Sequence, residues 1–208
     1  MTADHLQAIF WSITYIFLIV YALKYKIHGI PLVAICLNFA WETAAVGALL
    51  IYGGEFSVAM LIRGAWLLLD CAIVGLYCFY ETKFFENWKE KVIFFSAHIL
   101  STICLAVLFF YGYMLISCFV IDLIMAVAFV RYIAFRKLNA GWMEYAIGFA
   151  KLLGDLFAWI FYRNVTIVDY IGVCVLVCNI CYMIIITVKL KKQKKQTGGT
   201  DVNLLEFS

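Results

Sequence analysis

Seven ionisable side chains lie inside long apolar stretches of the sequence, and their types suit them to chemistry. They are four acids, two bases and one histidine: Glu42, Arg63, Asp70, His98, Asp122, Lys151 and Asp155. An ionisable group at membrane depth costs free energy and marks a functional candidate by default. Because the four acids outnumber the two bases, at least one carboxyl lacks a full partner, and removal from water favours its neutral, proton-donating form. The set predicts proton-transfer chemistry.

The spacing of the polar residues places them on shared helix faces, because residues three or four apart lie on the same side of an α-helix. Asn38 and Glu42 form one such pair, with Trp41 beside Glu42. Two longer stripes each combine charged residues with a tryptophan: Arg63, Trp66 and Asp70, and Lys151, Asp155 and Trp159. Acids, an amide and tryptophans at similar depths predict a pocket with a polar floor inside an apolar bundle.

Structural roles compete with chemistry for several of these residues. Lys151 and Asp155, four residues apart, suit an intrahelical ion pair. Arg63 suits a partner that fixes a neighbouring acid, and Asp122 could equally be a protonated acid that hydrogen-bonds across helices. Glu42 is the exception, since a glutamate at mid-span beside a tryptophan is costly to keep without a function.

The chain that carries these groups is too apolar for a soluble domain. It has 208 residues, of which 66% are hydrophobic and 14% charged, and its mean hydropathy is +0.99. Soluble domains are roughly 45–50% apolar and about 25% charged, and disordered chains have low hydrophobicity. No basic patch is interleaved with aromatic residues, so nucleic acid is not an expected partner. A membrane protein, with the lipid bilayer as its surroundings, is the class that remains.

Seven continuous apolar runs predict an all-α, polytopic membrane protein, a seven-transmembrane-helix bundle. The predicted spans lie near residues 5–23, 31–53, 57–80, 91–110, 112–134, 142–162 and 168–188. The runs lack the alternation of barrel strands. Glycine-containing gaps separate several of them: Gly53-Gly54, Gly112 and Asn139-Ala140-Gly141. We expect one transmembrane domain over residues 1–190 and a polar, mobile cytoplasmic tail over residues 191–208.

The distribution of basic residues predicts the orientation of the bundle. Of the 16 lysines and arginines, thirteen fall on one side of the predicted spans. Arg163 alone lies at the opposite surface, while Arg63 and Lys151 lie within spans. The positive-inside rule then places the N-terminus outside and the C-terminus in the cytoplasm.

Motifs for cofactor and metal chemistry are missing from the sequence. It contains no Walker A, G-x-G-x-x-G, H-E-x-x-H or G-x-S-x-G motif, which are typical of nucleotide, zinc-protease and serine-hydrolase sites. It also lacks an aspartate-rich D-D-x-x-D run that would bind a magnesium diphosphate. We therefore expect no metal and no cofactor, and a reaction that begins with proton transfer.

Three short motifs resemble those of a known family. They are Asn38-Phe39-Ala40-Trp41-Glu42 on the second span, Arg63-x-x-Trp66-x-x-x-Asp70 on the third and Lys151-Leu152-Leu153-Gly154 on the sixth. Together with seven spans in about 200 residues, they resemble the integral-membrane terpene cyclases of fungal meroterpenoid and indole-diterpene pathways and their bacterial relatives. The resemblance spans residues 30–190.

The resemblance implies a cofactor-independent terpene cyclase. In such an enzyme a prenylated substrate folds in a membrane pocket, an acid protonates its epoxide or terminal alkene, and the carbocation closes rings. Glu42 would be this acid, with Asp70 and Asp155 tuning or orienting it and Arg63 fixing Asp70. The implied substrate-binding residues come from several spans: Asn38, Trp41, Arg63, Trp66, Asp122, Trp159 and Asn179. Tryptophan faces stabilise a passing cation, and an apolar pocket excludes the water that would quench it.

One position departs from the family pattern. The family carries a second essential acid on its last helix, and Asn179 corresponds to it here. Asp155, directly after the Lys151–Gly154 motif, could supply the missing carboxylate. Otherwise the chain performs different chemistry or only binds a lipid. A small proton-coupled transporter is a further alternative, although no internal repeat supports it. We expect a multi-pass protein of a bacterial inner membrane or the endoplasmic reticulum.

Overall fold

Within residues 3–52, 58–80, 88–136 and 141–196, which the computed structural model describes, the chain forms seven helices. The helices are α1 (Ala3–Tyr25), α2 (Leu32–Tyr52), α3 (Val58–Tyr80), α4 (Trp88–Phe110), α5 (Met114–Phe135), α6 (Trp142–Tyr162) and α7 (Thr166–Gln196). Each is long and apolar enough to cross a membrane. The all-α bundle of seven spans predicted from the sequence is therefore confirmed. The predicted breaks at Gly53-Gly54 and Asn139-Ala140 lie outside the described residues.

The predicted helix ends agree with the structure to within three residues at all but one position. Pro31, the only proline of the chain, directly precedes α2, where its missing N–H removes no helical hydrogen bond. Gly112 adopts a φ of +80° between α4 and α5. The N–H of Gly112 donates to the Phe109 carbonyl at 3.0 Å and that of Tyr113 to the Leu108 carbonyl at 2.8 Å. This is the Schellman arrangement that ends a helix at a glycine, and it joins α4 to α5 in a tight hairpin at the predicted Gly112 gap.

The last helix is the exception, because α7 continues to Gln196 and not to residue 188. Lys189, which the sequence places beyond the span, turns back toward the end of α5. Its Nζ donates to the carbonyls of Ile133 at 2.6 Å, Ala134 at 3.0 Å and Arg136 at 2.6 Å. A lysine at the C-terminal end of a helix is stabilised by the partial negative charge of the free carbonyls. Residues 191–196 of the predicted tail are thus helical, and the rest of it lies outside the described residues.

The packing of the helices encloses a space at the centre of the bundle. In the order α1, α3, α2, α5, α7, α6, each helix packs against the next and α6 closes against α1. The α4 helix lies outside this ring, mainly against α2. Since α2 has three neighbours, close approach requires small side chains on several of its faces, and buried alanines provide them: Ala34, Ala40, Ala44 and Ala45.

Candidate active site

The cavity at the centre of the ring combines acids with aromatic side chains. It holds about 600 Å³ of empty space, including space open to its surroundings. Its walls come from α1, α2, α3, α5 and α6: Gln7, Trp11, Tyr15, Asn38, Trp41, Glu42, Arg63, Trp66, Cys118, Phe119, Ile121, Asp122, Met125, Ala158 and Tyr162. Six residues predicted for the site lie on these walls: Asn38, Trp41, Glu42, Arg63, Trp66 and Asp122.

Glu42 is almost fully buried, at 3% exposure, and within the described part of the chain only one of its oxygens has a partner. Arg63 reaches from α3 across to α2 and pairs with Glu42 Oε1 at 3.3 Å. The guanidinium also lies 4.9 Å from the centre of the Trp66 ring, a cation–π contact. Glu42 Oε2 is buried and has no hydrogen-bond partner among the described residues. A buried carboxyl oxygen on a cavity wall that no described residue satisfies is available to a substrate.

Arg63 does not fix Asp70, as the sequence suggested, but Glu42. Seven residues along one helix correspond to a rise of about 10.5 Å, so Arg63 and Asp70 share a stripe without meeting. The neighbouring helix brings Glu42 closer to the guanidinium than Asp70 on the same helix.

Asp70 belongs to a second polar group behind the cavity wall. Asn38 Nδ2 donates to both Asp70 oxygens, at 2.9 and 3.0 Å, and the Tyr15 hydroxyl donates to Asp70 Oδ2 at 3.4 Å. Asp70 opens onto a smaller adjoining space of about 390 Å³, which Asn38 and Tyr15 share with the main cavity. Asn38 and Tyr15 therefore connect Asp70 to the place where a substrate would lie.

A third polar group surrounds Lys151 on α6. Its Nζ donates to Asp122 Oδ1 at 2.9 Å and to Asp155 Oδ2, which confirms the predicted pair between residues four apart. Asn179 Nδ2 donates to the same Asp155 oxygen at 2.6 Å. Asp122 lines the cavity, whereas Asp155 and Asn179 lie behind it. The ammonium also lies 4.9 Å from the centre of the Trp11 ring.

A comparison with protein families identifies the family of the chain. The model of the Pyr4-like transmembrane terpene cyclases matches residues 2–145, well over half of the 208-residue chain. The chain belongs to this family. No curated protein and no solved structure matches it at a significant level. The protein is thus a terpene cyclase and an integral, multi-pass membrane protein.

The family match divides the site of the cyclase. Its matched part, residues 2–145, contains Glu42, Arg63 and Asp70, and also Asp122. The match ends before Asp155 and the two residues that hold it in place, Lys151 and Asn179. The third polar group therefore lies largely in the part of the chain beyond the match.

Sequence reasoning missed the α1 wall of the cyclase cavity. Gln7, Trp11 and Tyr15 line the cavity and recur every four residues, the same spacing that marks the stripe on α6. Ser12, also on α1, accepts the Trp66 indole N–H at 3.0 Å and thereby orients that ring. Because none of these residues is charged, only their spacing could have indicated them.

Two further residues behave differently from the sequence expectation. Trp159 donates its indole N–H to Asp169 Oδ1 at 2.7 Å and is not on the cavity wall. Glu144, which the sequence analysis did not include, is a buried acid whose Oε1 accepts the Tyr21 hydroxyl at 2.8 Å. It lines neither the main cavity nor the adjoining space, so we assign it to the packing of α1 against α6.

The aromatic walls and the carboxyls decide what the cavity can do chemically. Within the described part of the chain, no group of three or more His, Cys, Asp or Glu side chains is placed to hold a metal ion. The walls instead offer three tryptophans and two tyrosines: Trp11, Trp41, Trp66, Tyr15 and Tyr162. Such rings stabilise cations through their faces, while Glu42 and Asp122 provide groups that give and accept protons.

Proposed function

We propose that the cyclase closes rings on a prenylated small molecule by protonating its epoxide or terminal alkene, and that Glu42 is the acid. The observation that carries the proposal is the buried Oε2 of Glu42, which lies on the cavity wall without a partner among the described residues. A protonated carboxyl in that position donates to whatever occupies the cavity.

The first step transfers the Glu42 proton to the epoxide oxygen or to the terminal alkene carbon. In the epoxide case the C–O bond breaks as the O–H bond forms, and a tertiary carbocation remains. The carboxylate left on Glu42 lies beside Arg63, 3.3 Å away. A charge-assisted hydrogen bond of this kind favours the product of the transfer, so Arg63 promotes proton donation without touching the substrate's reacting carbon.

Ring closure then needs walls that stabilise positive charge and do not react with it. Each closure uses the π electrons of the next alkene to form a carbon–carbon bond and moves the cation along the chain. The faces of Trp11, Trp41 and Trp66 border this space and attract the moving charge. The apolar residues between them exclude water that would end the cascade early.

Loss of a proton ends the reaction, and Asp122 is the carboxylate in position to accept it. It lines the cavity and hydrogen-bonds to Lys151 at 2.9 Å. A proton moves from the carbon next to the cation to Asp122, and the electrons of that C–H bond form an alkene. Return of a proton to Glu42 restores the enzyme, so substrate and product are isomers of equal mass.

The test is a search for an isomer that depends on Glu42. Membranes containing the cyclase are incubated with farnesylated and geranylgeranylated aromatic compounds and with their terminal epoxides. The products are separated by chromatography and identified by mass spectrometry. We expect a product of unchanged mass and altered retention with the native chain and none with Glu42→Gln.

Glu144→Gln is the matched control, because it makes the same change at a buried acid away from the cavity. It is expected to retain the product once yields are normalised to inserted protein. Cyclisation by Glu42→Gln would refute the role of Glu42. A native chain that gives no isomer with any member of the panel would refute the proposed substrate class.

A further inference from the structure

A second opening of the bundle lies away from the candidate active site, between the start of α2 and the second half of α5. It is a wide, open groove with about 1320 Å³ of empty space. Its lining is His28, Pro31, Leu32, Val33, Ile124, Val127, Ala128, Arg131, Tyr132, Phe135 and Arg136. None of these residues lines the central cavity, so the groove requires its own explanation.

The wall of the groove is apolar and faces outward from the bundle. Leu32, Val33, Ile124 and Val127 are each exposed by more than two fifths, and Phe135 is 86% exposed. All five belong to spans, where the surroundings are acyl chains and not water. From Ile124 to Phe135 the wall extends about 16 Å along the helix axis, which is roughly half the thickness of the hydrocarbon core. The groove therefore has the length of one acyl chain in one leaflet.

The end of the groove at the close of α5 is positively charged. Arg131 is exposed and makes no hydrogen bond or ion pair with any described residue. Arg136 is held in place, because it donates to the His28 carbonyl at 2.9 Å and lies 4.8 Å from the centre of the Tyr132 ring. The described lining contains these two arginines and no acid.

The end of α5 would repel an anion if its free carbonyls were exposed. Lys189 removes this obstacle, since its Nζ donates to the carbonyls of Ile133, Ala134 and Arg136. The guanidiniums of Arg131 and Arg136 thus lie toward the end of α5, beside an apolar wall, with no opposing charge in the described lining.

We propose that this groove binds one anionic glycerophospholipid, with its phosphate at Arg131 and Arg136 and one acyl chain along the wall between α2 and α5. A phosphate diester at the membrane interface matches guanidinium donors in charge and geometry. Lipid is the occupant because the wall lies within the spans. The site is independent of the proposed cyclisation chemistry.

Native mass spectrometry of the full chain in mild detergent tests the proposal. The purified cyclase is titrated with phosphatidylglycerol and, separately, with phosphatidylcholine of the same acyl chains. We expect phosphatidylglycerol to bind about tenfold more tightly, because both lipids present the phosphate diester but the two arginines repel the choline ammonium of phosphatidylcholine. Equal binding of the two lipids would overturn the proposal.

Variants assign the binding to the groove. Arg131→Gln should remove the preference for phosphatidylglycerol and leave the fold intact, because the side chain has no partner among the described residues. Arg163→Gln removes an exposed arginine from the connection between α6 and α7 and should preserve the preference. A loss of preference in Arg163→Gln equal to that in Arg131→Gln would show a general effect of net charge.

Three further experiments test the apolar wall, the source of the anion and the independence of the two proposals. Ala128→Phe fills the apolar wall without changing charge and should weaken binding of both lipids. Excess inorganic phosphate should not displace phosphatidylglycerol, and full displacement would indicate a site for free anions and refute the lipid. Glu42→Gln should bind the lipid as the native chain does, so failure of the cyclisation test leaves this result unaffected.

Discussion

Glu42 and Lys151 differ in the number of opposite charges that contact them. Glu42 has a single cationic partner and keeps one oxygen unpaired among the described residues. Lys151 holds two carboxylates, Asp122 on α5 and Asp155 on its own helix. The first arrangement suits a group that releases a proton and is then stabilised. The second fixes a carboxylate on the cavity wall, where its negative charge faces a passing cation.

Removal of Arg63 should slow the reaction and spare the fold. In Arg63→Gln the carboxylate formed by proton donation loses its cationic partner, and we expect kcat to fall by about 10- to 100-fold, the range for one hydrogen bond to a charged group. Arg63→Lys keeps a positive charge and should lose less. The measurement is the rate of isomer formation with the substrate that the product screen identifies. A rate unaffected by Arg63→Gln would exclude this role.

Removal of Lys151 should destabilise the protein, whatever the substrate is. In Lys151→Met the buried Asp122 and Asp155 carboxylates lose the ammonium they share, and breaking a buried pair costs about 3–5 kcal/mol. Thermal unfolding of the purified protein, followed by tryptophan fluorescence, measures this loss. Lys192→Met, at an exposed position of α7, should unfold as the native chain does.

The double variant Lys151→Met/Asp155→Asn checks the cause of that loss. It removes the ammonium together with one carboxylate, so fewer buried charges remain unpaired. Its unfolding temperature should lie above that of Lys151→Met alone. If the two variants unfold at the same temperature, lost packing and not unpaired charge explains the destabilisation.

At the scale of helices, the sequence predicted each helix but few of the contacts between helices. Length and apolar character define the spans, and the three-residue connection at Gly112 forces α4 and α5 into a hairpin. Spacing places Asn38 and Glu42 on one face of α2, and both reach the cavity. It does not say which neighbouring helix supplies the partner of a charged group, and for this reason Arg63 was expected beside Asp70.

The contact between α1 and α6 is the clearest case that spacing could not reveal. These two helices are far apart in sequence, and the side chains that join them belong to ordinary apolar runs. Gly154 is a point of close approach, because a Cβ built there would lie 2.9 Å from Trp11 Cδ1 and 3.2 Å from Trp11 Nε1. The close approach of Trp11 requires a residue without a side chain at this position. The periodicity of polar residues does not indicate such a requirement.

Gly154→Ala should therefore separate α1 from α6. The methyl group needs space that the Trp11 ring occupies, and overpacking of this kind costs about 1–3 kcal/mol. The unfolding temperature should fall, and the tryptophan emission should shift as Trp11 moves. Gly64→Ala on α3, where a Cβ meets nothing within 4 Å, is the control and should be neutral or slightly stabilising. Equal effects of the two substitutions would show that helix propensity, and not the Trp11 contact, dominates.

At the scale of the whole molecule, the basic clusters gather at one end of the bundle. Lys26 Nζ donates to the hydroxyl of Tyr80 at the end of α3 at 3.2 Å, and Arg136 donates to the His28 carbonyl. The Arg136 carbonyl in turn accepts from Lys189. These contacts bring the connection between α1 and α2 and the ends of α3, α5 and α7 together. Three basic residues that are distant in sequence, Lys26, Arg136 and Lys189, thus contribute to one basic surface.

This basic surface predicts how the cyclase lies in the membrane. Lysines and arginines are retained on the cytoplasmic side during insertion, and the sequence pattern places only Arg163 of the 16 at the opposite end of the predicted spans. Green fluorescent protein fused after Ser208 should therefore fluoresce, and alkaline phosphatase fused there should be inactive. The same reporters inserted between Asn164 and Val165, in the connection between α6 and α7, should give the reverse pattern. An active phosphatase after Ser208 would invert the assigned orientation and would move the Arg131–Arg136 groove to the outer leaflet, while the contacts that build the cavity would be unchanged.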